Sequence, residues 1–224
     1  MLIPSIDLMS GKVVQLVRGE RKALEFEDVG EWIERFRHYP MVQVIDLDAA
    51  MGNGTNAKLI ERICGELTCQ VGGGIRTPDI ATQVIARGAN KAIIGTALFS
   101  HGRVDTKVAS DFAEHVSCEQ LIFSLDSRGG KVAIKGWKES TSSTPEQMMQ
   151  ETAPYCGGFL YTHIDTEGTM QGFPLDVAER LALITERKLI VAGGIRSRNE
   201  VDRLDSLGID AVVGMAVYTG TLQS

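Results

Sequence analysis

The chain carries one strand, turn, helix, strand phrase twice, and that repetition restricts its fold more than any other feature. "VGGGIRTPDIATQVIARGANKAIIGTALF" (71–99) and "VAGGIRSRNEVDRLDSLGIDAVVGMAVYTG" (191–220) both read apolar strand, Gly-Gly-Ile-Arg, helix-length segment, Gly, short apolar strand and a second glycine turn. Other landmarks keep nearly the same offset. Asp7 and Asp126, Gly11 and Gly130, and Asp46 and Asp165 each lie 119 residues apart, and Gly73 and Gly193 lie 120 apart. A chain of 224 residues made of two similar halves, about 1–119 and 120–224, is expected to form one domain.

Each half offers four short β-type runs: LIPSID, VQVIDLD, CQVGGG and KAIIG, then LIFSLD, FLYTHID, LIVAGG and DAVVG. Amphipathic stretches separate them, an alternation that predicts βα units around a parallel sheet. Four and four strands fit a (β/α)8 barrel better than an open doubly wound sheet, because two equal halves close with pseudo-two-fold symmetry. Helices are expected at GEWIERFR, AKLIERIC, DIATQVIARG, RVDTKVASDFAEHV, PEQMMQETAPY, LDVAERLALITE and NEVDRLDSLG. After Tyr218 only six residues remain, too few for a full closing helix, so one flank of the barrel is expected to be uncovered.

In such barrels the loops at the C-terminal ends of the strands build the site. The stretch "SLDSRGGKVAIKGW" (124–137) ends an apolar run on Asp126, and Asp7 ends the first strand in the same way. An Asp that bonds its own turn is the plain structural reading. The second copy sets the two acids across the barrel from each other, a placement suited to a general base and a general acid. The 24 glycines cluster in the turns. Gly-Gly-Ile-Arg after strands three and seven, with Gly95 and Gly214 after strands four and eight, brings open backbone N–H groups and helix starts together, as a phosphate requires. Tight strand-to-helix packing without a ligand is the competing reading of such turns. Two phosphate sites and two acids imply an elongated ligand with a phosphate at each end and its reactive middle between carboxylates.

The net charge of −6 argues against a general nucleic-acid or acidic-membrane surface. Cys64, Cys69, Cys118 and Cys156 lack C-x-x-C spacing and read as reduced thiols, with no metal site. No leader or membrane span is legible in "MLIPSIDLMSG", so a cytoplasmic protein is expected.

Six blocks, "PSIDLMSGKVVQLVRG", "VIDLDAAMG", "VGGGIR", "SLDSRGGKVAIKGW", "THIDTEGTMQG" and "VAGGIR", together resemble the phosphoribosylformimino aminoimidazole carboxamide ribotide isomerases of histidine biosynthesis (the HisA family), from Leu2 to about Gly220. The resemblance implies an Amadori rearrangement of a bisphosphorylated small molecule, without metal or redox cofactor. It makes Asp126 the general acid that opens the ribose ring, Asp7 the general base that removes the C2′ proton, and Thr162 a hydroxyl bonded to the reacting portion. Gly73, Gly74, Gly95 and Thr96 are assigned to one phosphate. Gly193, Gly194, Gly214 and the backbone N–H of Met215 are assigned to the other, and Gly172 joins the substrate-binding residues. Arg76 and Arg196 either add charge there or are solvated helix-start arginines, and Trp137 either stacks on the aminoimidazole ring or packs in the core. His163 points away from the barrel interior by alternation, and Asp46, Asp48 and Asp165 are expected to orient loops and arginines.

Two departures from the family stand out. The loop "GERKALEFEDV" after strand one is short, and the uncovered flank implies lower stability or a covering oligomer, with a monomer or weak homo-oligomer expected. Four readings stay beside the main one. They are the cyclase of the same pathway, which usually has Cys where this chain has Ser5; an isomerase that also takes phosphoribosyl anthranilate; an impaired barrel that only binds phosphorylated metabolites; and a dinucleotide module built on "GNGTNA" (52–57), a weak pattern whose third Gly is Ala.

Overall fold

The structure, a computed structural model, describes residues 1–222. Its main sheet closes on itself through eight parallel strands: β1 (Leu2–Met9), β2 (Val42–Asp46), β3 (Cys69–Gly72), β4 (Lys91–Ile94), β5 (Leu121–Arg128), β6 (Gly158–His163), β7 (Lys188–Ala192) and β8 (Asp210–Val213). Consecutive strands are neighbours, β4 pairs with β5, and β8 pairs with β1 to complete the ring. The chain is a (β/α)8 barrel. Among the described residues, seven helices of eight or more residues cover the sheet: α1 (Val29–Phe36), α2 (Ala57–Glu66), α3 (Pro78–Ala86), α4 (Thr106–His115), α5 (Pro145–Thr152), α6 (Leu175–Ala182) and α7 (Arg198–Ser206). None is long and apolar enough to cross a membrane.

The period-two alternation of the strands sorts their side chains into two layers. Ile3, Ile93, Ile122, Leu160, Ile190 and Val212 meet inside the barrel, while Ile6, Leu8, Val42 and Val44 face outward onto Trp32, Ile33 and Phe36 of α1. Ser5 and Asp7 therefore share the inward face of β1 with Ile3, and Ser124 and Asp126 share that of β5 with Ile122. The residue after each Gly-Gly-Ile-Arg turn is the N-cap of the next helix, Thr77 for α3 and Ser197 for α7, and each accepts a backbone N–H of the first turn.

Two expectations need correction. Neither β1 nor β5 stops on its acid; each runs two residues further and folds back as an antiparallel ribbon, Lys12–Val17 on β1 and Lys131–Ile134 on β5. The reversals are Ser10-Gly11 (φ 52° and 76°) and Gly129-Gly130 (φ 55° and 77°). Two successive positive φ values make the tight turn whose twist suits a hairpin. The stretch read as a loop after strand one likewise contains a strand, Arg21–Phe26, paired with Lys12–Val17. After β8 comes a four-residue helix, Met215–Tyr218, whose Tyr218 is buried among Phe26, Trp32 and Phe36. Residues 223 and 224, the last of those expected to be too few for a closing helix, lie outside the described residues.

Candidate active site

Asp7 and Asp126 stand half-buried on opposite sides of the barrel at its C-terminal mouth. The Ser5 hydroxyl donates to Asp7 Oδ1 at 2.7 Å, and the Ser124 hydroxyl donates to Asp126 Oδ1 at 2.8 Å. Burial pushes the Asp7 carboxyl up to about 6, and the Ser5 bond works against that rise. Asp126 has a second donor, the indole Nε1–H of Trp137, at 2.8 Å from Oδ2. Trp137 lies in a left-handed run, Lys135-Gly136-Trp137 with φ 56°, 65° and 66°. That run is tied down by Lys135 N–H donating to Thr96 Oγ1 at 3.0 Å. The ring rests on Gly19 of the first ribbon, where a Cβ would come within 2.6 Å of it. Trp137 is half-buried at the barrel mouth, so its placement in the core does not hold. Thr162 is the direct neighbour of Asp126 in the β5–β6 ladder and is 8% exposed.

Sequence reasoning missed a third carboxyl. Glu167, in the loop after β6, is pushed up to about 8, first by burial and then by the negative charges of Asp7 and Asp126. Its position depends on the first ribbon: Arg18 N–H donates to the Glu167 carbonyl at 3.0 Å, and Gly168 packs so closely that a Cβ would lie 2.3 Å from the Leu16 carbonyl oxygen. A carboxyl raised from 4.5 to about 8 stabilises the fold while protonated; that contribution is complete below pH 4.5 and is lost as pH rises through 8. Glu167→Gln is therefore expected to match the wild type in Tm at pH 4 and to exceed it by a widening margin up to pH 8. Thermal melts across that range check this, and equal Tm values at pH 8.5 would show that Glu167 carries no buried charge.

The glycine turns use their missing side chains for loop packing. At Gly73 (φ 98°) a Cβ would fall 2.2 Å from the Asp46 carbonyl oxygen, and at Gly193 (φ 119°) 2.5 Å from that of His163. Gly74 presses on Ala49, Gly194 on Thr166, and Gly172 donates its N–H to the Gly194 carbonyl at 2.9 Å. Gly95 is more open, with only Ser124 Cβ near, at 3.6 Å. Gly214, before Met215, lies under the side-chain amide of Gln15, whose Nε2 is buried without a partner among the described residues. Arg76 is exposed and donates to the carbonyls of Ala49 and Ala50, so its charge holds the loop after β2.

The remaining acids arrange loops through backbone groups and Asn56 rather than arginines. Asp46 accepts from Ala49 N–H and from both nitrogens of Asn56, Asp48 accepts from Ser10 N–H and Asn56 Nδ2, and Asp165 accepts from Gly129 N–H. His163 faces the outer layer beside Phe173, its Nδ1 2.8 Å from Thr166 Oγ1, and burial lowers its pKa.

Comparison with known proteins matches residues 1–223 to the family described as "Histidine biosynthesis protein". Among curated relatives, a protein of Methanocaldococcus jannaschii is 33% identical, with 99% of this chain and 94% of the relative aligned. One of Methanopyrus kandleri is 34% identical (99% and 93%), and one of Thermus thermophilus is 32% identical (99% and 96%). All three are named 1-(5-phosphoribosyl)-5-((5-phosphoribosylamino)methylideneamino) imidazole-4-carboxamide isomerase.

Proposed function

The chain belongs to the histidine biosynthesis protein family, and from that premise we propose that it is the aldose–ketose isomerase its relatives are named for, with Asp7 and Asp126 as its acid–base pair. One observation carries the reading: two inward acids from opposite strands share one barrel mouth, each in its own environment. The reaction needs such a pair. Protonation of the ribose ring oxygen, assigned to Asp126, lets the C1′–O bond break as the nitrogen lone pair forms a protonated Schiff base (C1′=N–H⁺). Removal of the C2′ proton, assigned to Asp7, then gives an enolamine that tautomerises to the aminoketose, and the proton lent to the ring oxygen is balanced by the one taken from carbon. A base raised to about 6 is ionised at neutral pH and still basic enough to accept a carbon proton.

Thr162, beside Asp126, is assigned to hydrogen-bond the reacting portion. Trp137, held on Asp126 Oδ2, is assigned to release that oxygen and stack on the aminoimidazole ring. Gly73, Gly74, Gly95 and Thr96 are assigned to one phosphate, and Gly172, Gly193, Gly194, Gly214 and Met215 to the other end of the substrate. The whole chain acts as one domain in this reading, in the cytoplasm, as a monomer or weak homo-oligomer.

An ultraviolet assay of the purified protein with the formimino carboxamide ribotide tests the reading, and turnover is the expected result. A parallel fluorescence assay on phosphoribosyl anthranilate separates a dedicated isomerase from one with two substrates. Binding of the ribotide without turnover would overturn the assignment.

A further inference from the structure

We propose that Ser5 and Ser124 are a matched pair of positioning residues, each gripping one oxygen of the acid two residues ahead so that the other oxygen is aimed at the substrate. The inference rests on the assignment of Asp7 and Asp126 as the acid–base pair. It starts from geometry. The Ser-x-Asp unit occurs twice at the 119-residue offset, and the two hydroxyl bonds, 2.7 and 2.8 Å, both end on Oδ1. Alternation along a strand puts residues i and i+2 on one face, so Ser5 and Asp7, like Ser124 and Asp126, project into the barrel side by side. A hydroxyl has one proton to donate, and each serine gives its proton to its own aspartate.

Ser5 is itself fixed from outside the barrel. It is 5% exposed, and its carbonyl accepts the Tyr218 hydroxyl at 2.9 Å, which ties the segment after β8 to β1 directly beneath the acid. The two copies then diverge. On Asp126, Oδ2 is occupied by the indole of Trp137, whereas Asp7 Oδ2 has no hydrogen-bond partner among the described residues. With Oδ1 held, Asp7 Oδ2 is the oxygen available to take a proton from carbon. The titratable groups whose charges interact with Asp7 are Glu167 after β6 and Tyr218 after β8. Neither of these brings a positive charge to Asp7, and Ser5 is the group that favours its ionised form against burial.

The test is Ser5→Ala and Ser5→Thr, read in two independent ways. The first is the pH dependence of kcat and KM for the isomerisation. The second is the carboxyl titration of Asp7 followed by carbon-detected NMR on labelled protein, which needs no turnover. Ser5→Ala is expected to move the Asp7 midpoint, and with it the acidic limb of kcat, upward by about half a unit to one unit, to lower kcat and to leave KM within about twofold. Ser5→Thr, which keeps the hydroxyl, is expected to restore both. Ser124→Ala is expected to lower kcat with KM unchanged. An unshifted Asp7 midpoint in a folded Ser5→Ala protein would overturn the proposal, as would a lowered Tm with an unmoved acidic limb. If wild type turns nothing over, yet the midpoint shifts, Ser5 still tunes Asp7 and it is the isomerase reading that fails.

Discussion

Asp7→Asn and Asp126→Asn are each expected to lower kcat at least about a hundredfold, the scale of a lost acid or base, while substrate binding changes little. Asparagine keeps the shape of the acid and can still accept from the serine two residues before it, but it can neither take a proton from carbon nor deliver one to oxygen. The two variants should differ in a second respect. Asp7 uses one acceptor oxygen, toward Ser5, so the amide that replaces it can satisfy that donor, and loss of a carboxyl that burial had raised to about 6 leaves the fold as stable or more stable above pH 6. Asp126 accepts on both oxygens, from Ser124 and from Trp137. An amide has one carbonyl oxygen, so Asp126→Asn must turn an N–H toward one of those donors. It is expected to free the indole and change Trp137 fluorescence. The double variant should be no slower than about the slower single one, since the two groups serve one reaction. Steady-state kinetics, ligand titration and fluorescence check these outcomes, and either single variant turning over at more than a tenth of the wild-type rate removes that residue from the chemistry.

The barrel was legible because its evidence is periodic. Repeat offset, strand alternation and glycine spacing all survive in one dimension, and they placed the eight strands, the seven helices and the opposed acids. What was not legible depends on how loops fold back. Asp126 looked like a strand end because the apolar run stops there, and Asp7 was read as its matching copy. Yet Ser10-Gly11 and Gly129-Gly130 are hairpin reversals, and each strand continues into a ribbon. Glu167 reads as one more acid in a polar turn, and only the first ribbon, bonded to its carbonyl through Arg18, brings it under the influence of Asp7 and Asp126. Thr162 entered by resemblance alone, and the β5–β6 register then set it beside Asp126. The serines at 5 and 124 were present in the same repeat as the acids, and the i, i+2 rule could have found them.

The glycine turns pack one loop closely against the next, and a substitution tests whether phosphate binding accompanies that role. Gly73→Ala is expected to destabilise the protein by about 3 kcal/mol or more, from left-handed backbone strain together with overlap that cannot relax. At φ 98° the new Cβ would lie 2.2 Å from the Asp46 carbonyl oxygen and 2.7 Å from its nitrogen. Asp46 cannot retreat. It is 2% exposed, caps the helix Leu47–Met51 through Ala49 N–H, and is bonded by Asn56, which also reaches Asp48 and Gly11. Gly52→Ala is the control, because its φ is 77° with nothing within 4 Å, so only the backbone cost of about 1 kcal/mol applies. In a protein of this size, each kcal/mol moves Tm by about 2–4 °C, so the melts should fall clearly apart. Gly193→Ala, facing the His163 carbonyl, should behave like Gly73→Ala. If the turns also bind phosphate, the same two variants, assayed well below their lowered Tm, should raise KM while Gly52→Ala does not. A large loss of stability with KM unchanged would mean that these glycines serve to let one loop lie against the next, and that the phosphates are held at Gly95 and Gly214 alone.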